Sequence, residues 1–421
     1  MRLNLHDFSG HPFQAQLSRN LAARGHEVLH GYSSQYITGH GRLEVVPGDP
    51  AGLRMEGITA DVPLIKYSPL GRCRFEVAYA DAWRRRLDDE NFDVVVACNV
   101  PLFALARMRR YFCRRQQPWV LWHQDVYSLG VAGEAMRRLP RPVAVAVSDR
   151  VQRIERSQVD SAAAVVAIAE PFRQQYERWN ARTDHVRIIP NWAPLDDLVP
   201  GRRDNQWSLR EGLPRESVRI MYAGTLGRKH NPLLLLDLLD GVRARGVDAV
   251  LVVVSEGEGA DMLAAAAGDR PDVRFLGYQP AEDLSDVLAS ADVMVALLEP
   301  DAGEFSVPSK VLSYLAAGRP TIALVPAGNP CADDVRGAGG FVGEPTQAGA
   351  LLAAQWLHTV SDPAALAVLG RDARALAVER FDIERITSEF ESILGDAAVS
   401  AATRVGAPLM VVSGALGSAN S

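Results

Sequence analysis

Lysine is scarce in this chain of 421 residues. Of its 45 basic side chains only Lys66, Lys229 and Lys310 are lysines, and the others are arginines. Lys310 is the most unusual of the three, because "VPSKVLSYLAAG" predicts a helix that begins beside it and ends at Gly318. A cation at a helix N-terminus opposes the helix dipole by about 0.3–1 kcal/mol. An anionic ligand bound there would reverse the sign of that interaction.

Cysteine, long apolar segments and leader patterns are also lacking. The four cysteines show no CxxC or Cys/His spacing, which indicates neither a zinc site nor a disulfide framework. No segment reaches the roughly 18 uncharged apolar residues needed to span a bilayer. The start, "MRLNLHDFSGHPFQ", does not contain the apolar run of a signal peptide. We therefore expect a reducing, cytoplasmic protein, with at most peripheral contact at the inner face of a membrane.

Two common nucleotide-binding motifs are missing as well. The chain contains no Walker A motif and no GxGxxG followed by an acidic residue about 20 positions later, which disfavours an ATPase or an NAD-dependent dehydrogenase. The net charge is −6 and no nucleic-acid-binding motif is present. Nucleic acid is therefore not an expected partner.

The net charge conceals an asymmetry between the two halves of the chain. Residues 1–190 carry 26 basic and 20 acidic side chains, a net of +6, whereas residues 191–421 carry 19 and 31, a net of −12. The excess arginine lies in Arg84–Arg86, Arg107–Arg115 and Arg137–Arg141. These stretches are either ordinary solvated helix faces or a cationic surface that meets anionic lipid headgroups or a phosphorylated acceptor.

Short β-branched runs alternate with amphipathic helical segments along the whole chain. Buried parallel strands are predicted in 92–100, 118–126, 162–170, 186–194, 218–224, 248–257, 273–278, 291–298 and 320–326. A helix is predicted over 14–28, with Gly25 as its C-terminal cap. Strands that alternate with helices predict an α/β fold with parallel sheets covered on both faces. The pattern occurs twice, which predicts two Rossmann-like domains that face each other across a ligand-binding cleft.

The expected domain boundaries follow from shifts in composition. They are an N-terminal domain over 1–192, a linker over 193–217, a C-terminal domain over 218–382, a helix over 383–395 and a flexible tail over 396–421.

The loop "YAGTLGRKHNP" (222–232) has the pattern of a phosphate site. Two glycines follow a strand, and Asn231–Pro232 suits the start of a helix. Such a loop offers backbone N–H groups and the positive end of a helix dipole to an anion. Arg228 and Lys229 add cationic side chains, although an ordinary strand-to-helix turn with exposed cations is the plain alternative. A second phosphate loop is predicted at Ser306–Lys310, where Ser306 can cap the helix and Lys310 supplies a compact charge.

Two further loops could complete a nucleotide site. "SEGEGADM" (255–262) is a strand-to-helix turn with two glycines, a common pattern. Another strand ends at Gly277–Tyr278, where a base could stack or form backbone hydrogen bonds, and Tyr278 could equally be a plain surface aromatic.

Taken in order, these segments resemble a family 4 glycosyltransferase of the GT-B fold. The matching segments run over residues 1 to about 395 and include "FSGHPFQAQLSRNLAARGHEV", "VLWHQDVY", "VVAIAEPFRQQY", "YAGTLGRKHNP" and "VPSKVLSYLAAGRPTIA". The resemblance is closest to the bacterial branch that makes surface polysaccharide and O-antigen, including colanic acid and fucosamine transferases.

The resemblance implies a retaining hexosyl- or N-acetylhexosaminyl-type transfer from a nucleotide-diphosphate sugar, UDP-sugar favoured, without a metal or other cofactor. The acceptor would be a polyprenyl-diphosphate-linked glycan precursor or a small molecule, bound by the first domain. It assigns His123 and Glu304 to the transferred sugar, His11 to the acceptor, and two sets of residues to the donor. The diphosphate set is Gly10, Thr225, Arg228, Lys229, Ser306, Pro308, Ser309 and Lys310, and the nucleoside set is Gly277, Tyr278 and Ser313.

The chain departs from the family pattern at several of these positions. The E-x7-E pattern of the family would fall on Phe305 and Ser313, so that a serine stands where a glutamate usually holds the ribose. Thr225 stands where the family usually has an arginine. Two other classes therefore remain open: a nucleotide-sugar 2-epimerase, which shares the fold, and a non-catalytic nucleotide-sugar-binding subunit.

Overall fold

The computed structural model describes residues 1–36, 41–65, 68–227, 230–299, 305 and 307–406. Its strands are β1 (Arg2–Asp7), β2 (Glu27–Ser33), β3 (Leu53–Ile58), β4 (Val94–Cys98), β5 (Trp119–His123), β6 (Ala164–Ala167), β7 (Val186–Ile188), β8 (Val218–Ala223), β9 (Ala249–Val254), β10 (Val273–Leu276), β11 (Val293–Leu297), β12 (Thr321–Leu324) and β13 (Phe341–Gly343).

The α-helices lie between the strands and after the last one. They are α1 (Pro12–Ala23), α2 (Pro69–Asp88), α3 (Leu102–Arg115), α4 (Tyr127–Arg138), α5 (Arg141–Ser161), α6 (Glu170–Arg178), α7 (Gln206–Arg210), α8 (Leu234–Arg243), α9 (Glu258–Ala267), α10 (Leu284–Ala289), α11 (Lys310–Ala316), α12 (Pro330–Gly337), α13 (Gln347–Val360), α14 (Pro363–Phe381) and α15 (Ile383–Gly406).

The strands form two parallel sheets, which confirms the predicted fold class. The first has seven strands in the order β3-β2-β1-β4-β5-β6-β7, and the second has six in the order β10-β9-β8-β11-β12-β13. The chain also divides into two compact units. One comprises Met1–Trp122, Val145–Val165 and the residues from Glu389 onward, and the other comprises His123–Ala144 and Val166–Ser388. The domain boundaries expected from composition stay a prediction.

The nine predicted strands each contain an observed one, and the structure adds β1, β2, β3 and β13. The helix predicted over 14–28 is shorter than expected, because it ends at Ala23 and β2 already begins at Glu27. Gly25 ends it as predicted: its φ is +87°, and the N–H groups of Gly25 and His26 donate to the carbonyl oxygens of Ala22 and Leu21. This is the hydrogen-bond pattern of a Schellman motif.

In the second sheet β9 lies between β8 and the edge strand β10, and its six residues AVLVVV are all buried. Such an uninterrupted apolar run is typical of a parallel strand with both faces covered. On one side, α8 packs against α13 so closely that a Cβ on Gly241 would lie 2.8 Å from the Cβ of Ala354. Helix α11 ends at Ala316, and Gly318, predicted to terminate it, follows two residues later with φ +64°.

The segments expected as linker and tail contain regular structure. The short helix α7 lies within 193–217, and its Trp207 is buried. Helix α15 continues to Gly406, so the first part of the expected tail is helical where flexibility was predicted. The four alanines in "GDAAVSAATRVG" favour this extension of the helix.

Candidate functional site

The predicted phosphate loops lie at the places where strand order reverses. In the first sheet the chain begins at the inner strand β1, adds β2 and β3 on one side of it, and then adds β4 on the other side. In the second sheet β8, β9, β10 and β11 follow the same pattern. Loops at such a place leave a crevice at the carboxyl ends of the strands, where α/β sheets bind ligands. Ser9–Gly10 follows β1 in the first unit, and Gly224–Gly227 follows β8 in the second.

Lys310, the first residue of α11, reaches back to the end of β8. Its ammonium group donates hydrogen bonds to the Tyr222 hydroxyl and, at 3.3 Å, to the carbonyl oxygen of Thr225. The Lys310 Nζ lies 4.0 Å from the centre of the Tyr222 ring. All of these partners are neutral. Within the described part of the chain, no carboxylate pairs with this ammonium group.

The half-buried position of Lys310 has a clear electrostatic consequence. Burial lowers the pKa of its ammonium from 10.5 to about 7, and no neighbouring charge raises it again. Near neutral pH the group is therefore divided between its charged and neutral forms. An anion in contact with Nζ would favour the charged form and offset the cost of burial. The site thus has a cation whose charge is not yet compensated.

Two buried tyrosines hold this lysine and the loop in place. The Tyr314 hydroxyl donates to the carbonyl oxygen of Ala223 at 2.7 Å and accepts from its N–H at 3.3 Å. The Tyr222 hydroxyl donates to the carbonyl oxygen of Thr225 at 2.8 Å. Burial raises the pKa of both phenols well above the usual value, so both remain protonated. Helix α11 is therefore tied to the end of β8.

The turn after β8 depends on glycine at two positions. Gly224 has φ +114° and lies beside Lys310, where an added Cβ would be 3.7 Å from Nζ. Gly259, at the start of α9, donates its N–H to the carbonyl oxygen of Leu226 at 3.0 Å. An added Cβ on Gly259 would lie 2.4 Å from that oxygen, which no side chain could tolerate without a backbone shift. The weak glycine pattern at 255–262 therefore has a structural role.

The predicted nucleoside residues lie next to the same loop. The hydroxyls of Thr225 and Tyr278 are hydrogen-bonded at 2.9 Å, which brings a predicted diphosphate residue and a predicted nucleoside residue together. The Tyr278 N–H donates to Glu256 Oε1 at 3.0 Å. A Cβ on Gly277 would approach that oxygen to 2.9 Å. The Tyr278 ring is half exposed and available for stacking.

The other predicted donor residues surround Lys310 or lie outside the described residues. Pro308 is half-buried and Ser309 is exposed, directly before α11, and Ser313 is half-buried one turn into it. Four predicted site residues lie outside the described residues: Arg228, Lys229, Glu304 and Ser306. Their roles stay predictions.

His123 is the last residue of β5 and is buried. Its Nδ1 lies 2.7 Å from the Tyr176 hydroxyl, and the two rings stack with 8° between their planes. Phe172 meets the edge of the His123 ring at 5.5 Å between centroids and also contacts Phe305 at 5.2 Å. One imidazole nitrogen is thus oriented by Tyr176 from within the second unit.

In the first unit, Asp7 organises the loop that contains Gly10 and His11. Its carboxylate accepts the N–H of His11 at 2.5 Å and the side-chain amide of Asn99 at 2.8 Å. The same amide nitrogen lies 3.3 Å from His11 Nδ1. Burial raises the Asp7 pKa, and the hydrogen bonds from Asn99 and His11 act in the opposite direction. Gly10, with φ +69°, allows the turn between them.

Sequence reasoning missed Tyr222, Tyr314, Asp7 and Asn99. Asp7 is the last residue of β1 and Tyr222 the penultimate residue of β8, each just before a glycine-containing loop, so their positions carried a signal that could have been followed. Tyr314 and Asn99 had none, because their partners are distant in sequence, as the 91 residues between Tyr314 and Ala223 show.

Neither a metal site nor a membrane-spanning helix is found among the described residues. The described residues contain no group of three His, Cys, Asp or Glu side chains that could hold a metal ion. The absence of a metal cofactor stays a prediction. Over the same part of the chain, no helix has the length and apolarity required to cross a bilayer.

Two family models match separate parts of the chain. Residues 11–192 match the glycosyl transferase 4-like domain, and residues 217–362 match the glycosyl transferases group 1 domain. A curated relative, the D-inositol 3-phosphate glycosyltransferase of Corynebacterium jeikeium, is 31% identical over 182 residues, 40% of this chain and 42% of the relative. The enzyme of that name from Corynebacterium kroppenstedtii is 28% identical over 193 residues, 43% of this chain and 42% of the relative. The chain thus matches less than half the length of these curated relatives.

Solved structures extend the likeness to nearly the whole fold. Sucrose-phosphate synthase from Thermosynechococcus elongatus aligns with a TM-score of 0.72 at 17% identity, over 95% of this chain and 100% of that one. Anabaena HepE in complex with UDP aligns with a TM-score of 0.69 at 15% identity, over 94% of this chain and 100% of that one. The protein therefore has the GT-B fold of these glycosyltransferases, and its two matched segments are glycosyltransferase domains.

Proposed function

Because two segments of the chain are glycosyltransferase domains, we propose that the protein is an active retaining glycosyltransferase. Its donor is a nucleotide-diphosphate sugar, with UDP as the favoured nucleotide, and its products are a glycosylated acceptor and the nucleoside diphosphate. The observation that carries the proposal is the uncompensated ammonium of Lys310 beside the glycine loop that follows β8.

Lys310 would act on the leaving group. When the sugar–phosphate bond breaks, negative charge grows on the departing diphosphate. An ammonium group that has only neutral partners before binding gains most when that charge develops, so it stabilises the transition state more than the ground state. Tyr222 and Tyr314 hold it in position and need not move during the reaction. This chemistry needs no metal ion, in line with the expectation from sequence.

The favoured nucleotide rests on the fold relatives and on the loop around Tyr278. HepE was solved with UDP and with UDP-glucose. The hydroxyls of Thr225 and Tyr278 are hydrogen-bonded, and the carbonyl oxygen of Thr225 accepts a hydrogen bond from Lys310. A nucleoside could therefore stack on the exposed face of Tyr278 while its diphosphate contacts Lys310. Ser313 would take the place of a ribose-binding carboxylate and would hold the sugar of the nucleoside less tightly.

His123 is proposed to position the transferred sugar. Tyr176 occupies its Nδ1, and the ring is held between Tyr176 and Phe172. An imidazole held in this way is a group that can form a hydrogen bond with a sugar hydroxyl. In the first unit, His11 is proposed to contact the acceptor, with Asp7 and Asn99 holding the loop. Glu304 stays the second proposed sugar contact.

A lipid-linked glycan precursor of surface polysaccharide synthesis is the proposed acceptor. Support comes from the end of α4 and the residues that follow it. The side chains of Met136, Leu139 and Val143 are exposed there, beside the exposed Arg137 and Arg138. Exposed apolar groups flanked by arginine suit an interface with anionic lipid. Arg137 and Arg138 share the single carboxylate of Glu134, which leaves a net positive charge there. The arginines of α2 and α3 are compensated more fully, because Arg84, Arg86, Arg107 and Arg115 form ion pairs with several nearby carboxylates.

The experiment is a thermal-shift panel with UDP, GDP, dTDP, ADP and CMP, without metal and then with Mg²⁺, followed by a hydrolysis assay with the matching nucleotide sugar. Selective stabilisation by one nucleoside diphosphate without metal, and slow release of that diphosphate from its sugar, support the proposal. Binding without release in the presence of a crude lipid extract supports the non-catalytic subunit. Recovery of an isomerised nucleotide sugar supports the epimerase, and no binding contradicts all three.

A further inference from the structure

A second cavity lies at the opposite, amino edge of the six-stranded sheet. Its volume is about 590 Å³, and its lining includes Asp292, directly before β11, and Arg319–Pro320, directly before β12. The start of α14 forms another wall. Lys310 and the loop after β8 lie at the carboxyl edge, so this cavity is separate from the donor site. Its volume is within the range of small-molecule sites, roughly 300–1,000 Å³.

The lining is strongly basic. Four arginines and one acidic residue face the cavity: Arg203, Arg319, Arg371 and Arg374, with Asp292. The Asp292 carboxylate already accepts from Arg203 Nε at 2.9 Å. The ion pair neutralises these two charges, and three guanidinium groups remain without a carboxylate at the cavity.

Two of these three guanidinium groups are held by backbone carbonyl oxygens alone. Arg319 donates to the carbonyl oxygens of Ala291 at 3.0 Å and Gly201 at 2.6 Å. Arg374 donates to those of Leu195, Leu198 and Ala316 at 3.1, 2.8 and 2.7 Å. Burial lowers the pKa of both groups, although the nearby Asp292 and Asp196 partly oppose this effect. Their charges are held in place and incompletely compensated.

A polar atom at this cavity also has no partner. The Nε–H of Arg319 is buried and finds no acceptor in the part of the chain that the structure describes. A buried donor without an acceptor costs about 1–3 kcal/mol. Arg371 lies exposed and has no ion pair with a described residue. An oxyanion in the cavity would supply the missing acceptor and the missing charge together.

We propose that this cavity binds a small molecule that carries a phosphate group and an apolar part. Arginine presents a planar fork of N–H donors that matches the oxygens of a phosphate. Pro200, Pro320, Pro363 and Leu366 supply the apolar wall for the rest of the ligand. The phosphate group is either that of a free metabolite or that of a lipid headgroup. This inference does not rest on the proposed transferase activity.

Phenyl phosphate and inorganic phosphate are the probes that test the site. Titration calorimetry is run on the Lys310→Met protein, the parent for these experiments, in which phosphate binding at the donor site is weakened. Phenyl phosphate should bind about tenfold more tightly than inorganic phosphate, because its ring adds apolar contact. Arg371→Ala should weaken phenyl phosphate binding by about tenfold. Since Arg371 is exposed and has no side-chain hydrogen bond or ion pair with any described residue, the variant is expected to fold normally.

Arg274→Ala is the matched control, since Arg274 is an exposed arginine of β10 in the same unit and does not line the cavity. This variant should bind phenyl phosphate like its parent. Equal affinities in the Arg371→Ala and Arg274→Ala proteins, or no binding of either probe to the folded parent, would overturn the proposal.

A vesicle assay separates the two sources of the phosphate group. If vesicles with phosphatidic acid retain the parent protein but not the Arg371→Ala protein, the ligand is a lipid headgroup. If phenyl phosphate binds but retention on vesicles does not depend on Arg371, the ligand is a free phosphorylated metabolite. Both results support the site, and they distinguish its occupant.

Discussion

The ammonium of Lys310 donates a hydrogen bond to the hydroxyl of Tyr222 and lies 4.0 Å from the centre of its ring. The contact joins the first residue of α11 to the penultimate residue of β8, 88 residues earlier in the chain. It explains why a chain that uses arginine almost everywhere has a lysine here. The compact ammonium fits over the ring, and its charge remains available to a ligand.

Lys310→Met should abolish most of the donor binding without loss of stability. Hydrogen bonds to charged groups contribute about 1.5–3 kcal/mol, which corresponds to roughly a 10- to 150-fold loss of UDP affinity. The melting temperature at pH 7 should stay the same or rise, because burial of the ammonium opposes folding. Calorimetry and thermal melting measure the two effects. Arg274→Met, which removes an exposed cation from the same unit, is the control and should change neither.

Donor affinity should fall as the pH rises above about 7. The free Lys310 has a pKa of about 7, and a bound diphosphate raises that pKa, so binding above pH 7 takes up as much as one proton. A UDP-sugar is the suitable ligand, because its diphosphate diester does not titrate in this range. Calorimetry at pH 8 in buffers of different ionisation enthalpy measures the uptake. Binding without proton uptake, or with proton release, would contradict the assignment.

The same pKa shift predicts the pH dependence of folding. Between pH 7 and 10.5 the unfolded chain retains the Lys310 proton and the folded protein does not, so this residue makes stability rise with pH across that window. Chemical denaturation at pH 7 and pH 9 measures the change. The Lys310→Met protein should gain less stability over this interval than the unsubstituted protein, and equal gains would argue against a buried ammonium.

Gly259→Ala should damage both stability and donor binding. The new Cβ would lie 2.4 Å from the carbonyl oxygen of Leu226, so the loop after β8 or the start of α9 must shift. We expect a loss of about 1–3 kcal/mol in the free energy of unfolding, as for other overpacked sites, together with weaker UDP binding. Gly395→Ala is the control. Nothing lies within 4 Å of its new Cβ, and in the middle of α15 it should be neutral or slightly stabilising.

His123→Gln should separate catalysis from nucleotide binding. If the imidazole contacts the transferred sugar, transfer should fall by at least about tenfold, as for loss of a strong hydrogen bond in the transition state, while UDP affinity stays unchanged. Tyr176→Phe removes only the partner of Nδ1 and should cause a smaller loss. Transfer rates and UDP titrations give the two readouts. A parallel loss of UDP affinity would place His123 at the diphosphate instead.

Much of the fold followed from local patterns. Continuous apolar runs such as "AVLVVV" predicted the strands that are buried along their whole length, and Gly25 and Gly318 marked the helix ends that the structure shows. The strands β1, β2, β3 and β13 were harder to find. Strand β13 has three residues, too few to show the pattern of alternating or continuous apolar residues that predicts a strand. In β1, buried polar residues such as Asn4 and His6 interrupt the apolar pattern.

The sequence predicted the loops of the candidate site but not the side chains that hold them. The loops with Thr225 and Lys310 were found because glycine, a cation and a helix start coincide there, and the structure brings these two residues within 3.3 Å. The hydrogen bonds of Tyr222 and Tyr314 were not predicted, because Tyr314 and Ala223 are distant in sequence and come together only in the folded domain. The lowered pKa of Lys310 was equally inaccessible, because it depends on burial, which one sequence position does not reveal.

The scarcity of lysine makes the most direct measurement practical. In protein labelled with ¹³C and ¹⁵N at lysine, only three side chains contribute signals, and Lys310→Met identifies one of them. The pH titration of that signal by NMR, without and with UDP, gives the pKa of Lys310 in each state. We expect a pKa of about 7 in the free protein and a clearly higher value with UDP bound. An ordinary lysine pKa in the free protein, or one that UDP leaves unchanged, would contradict this expectation.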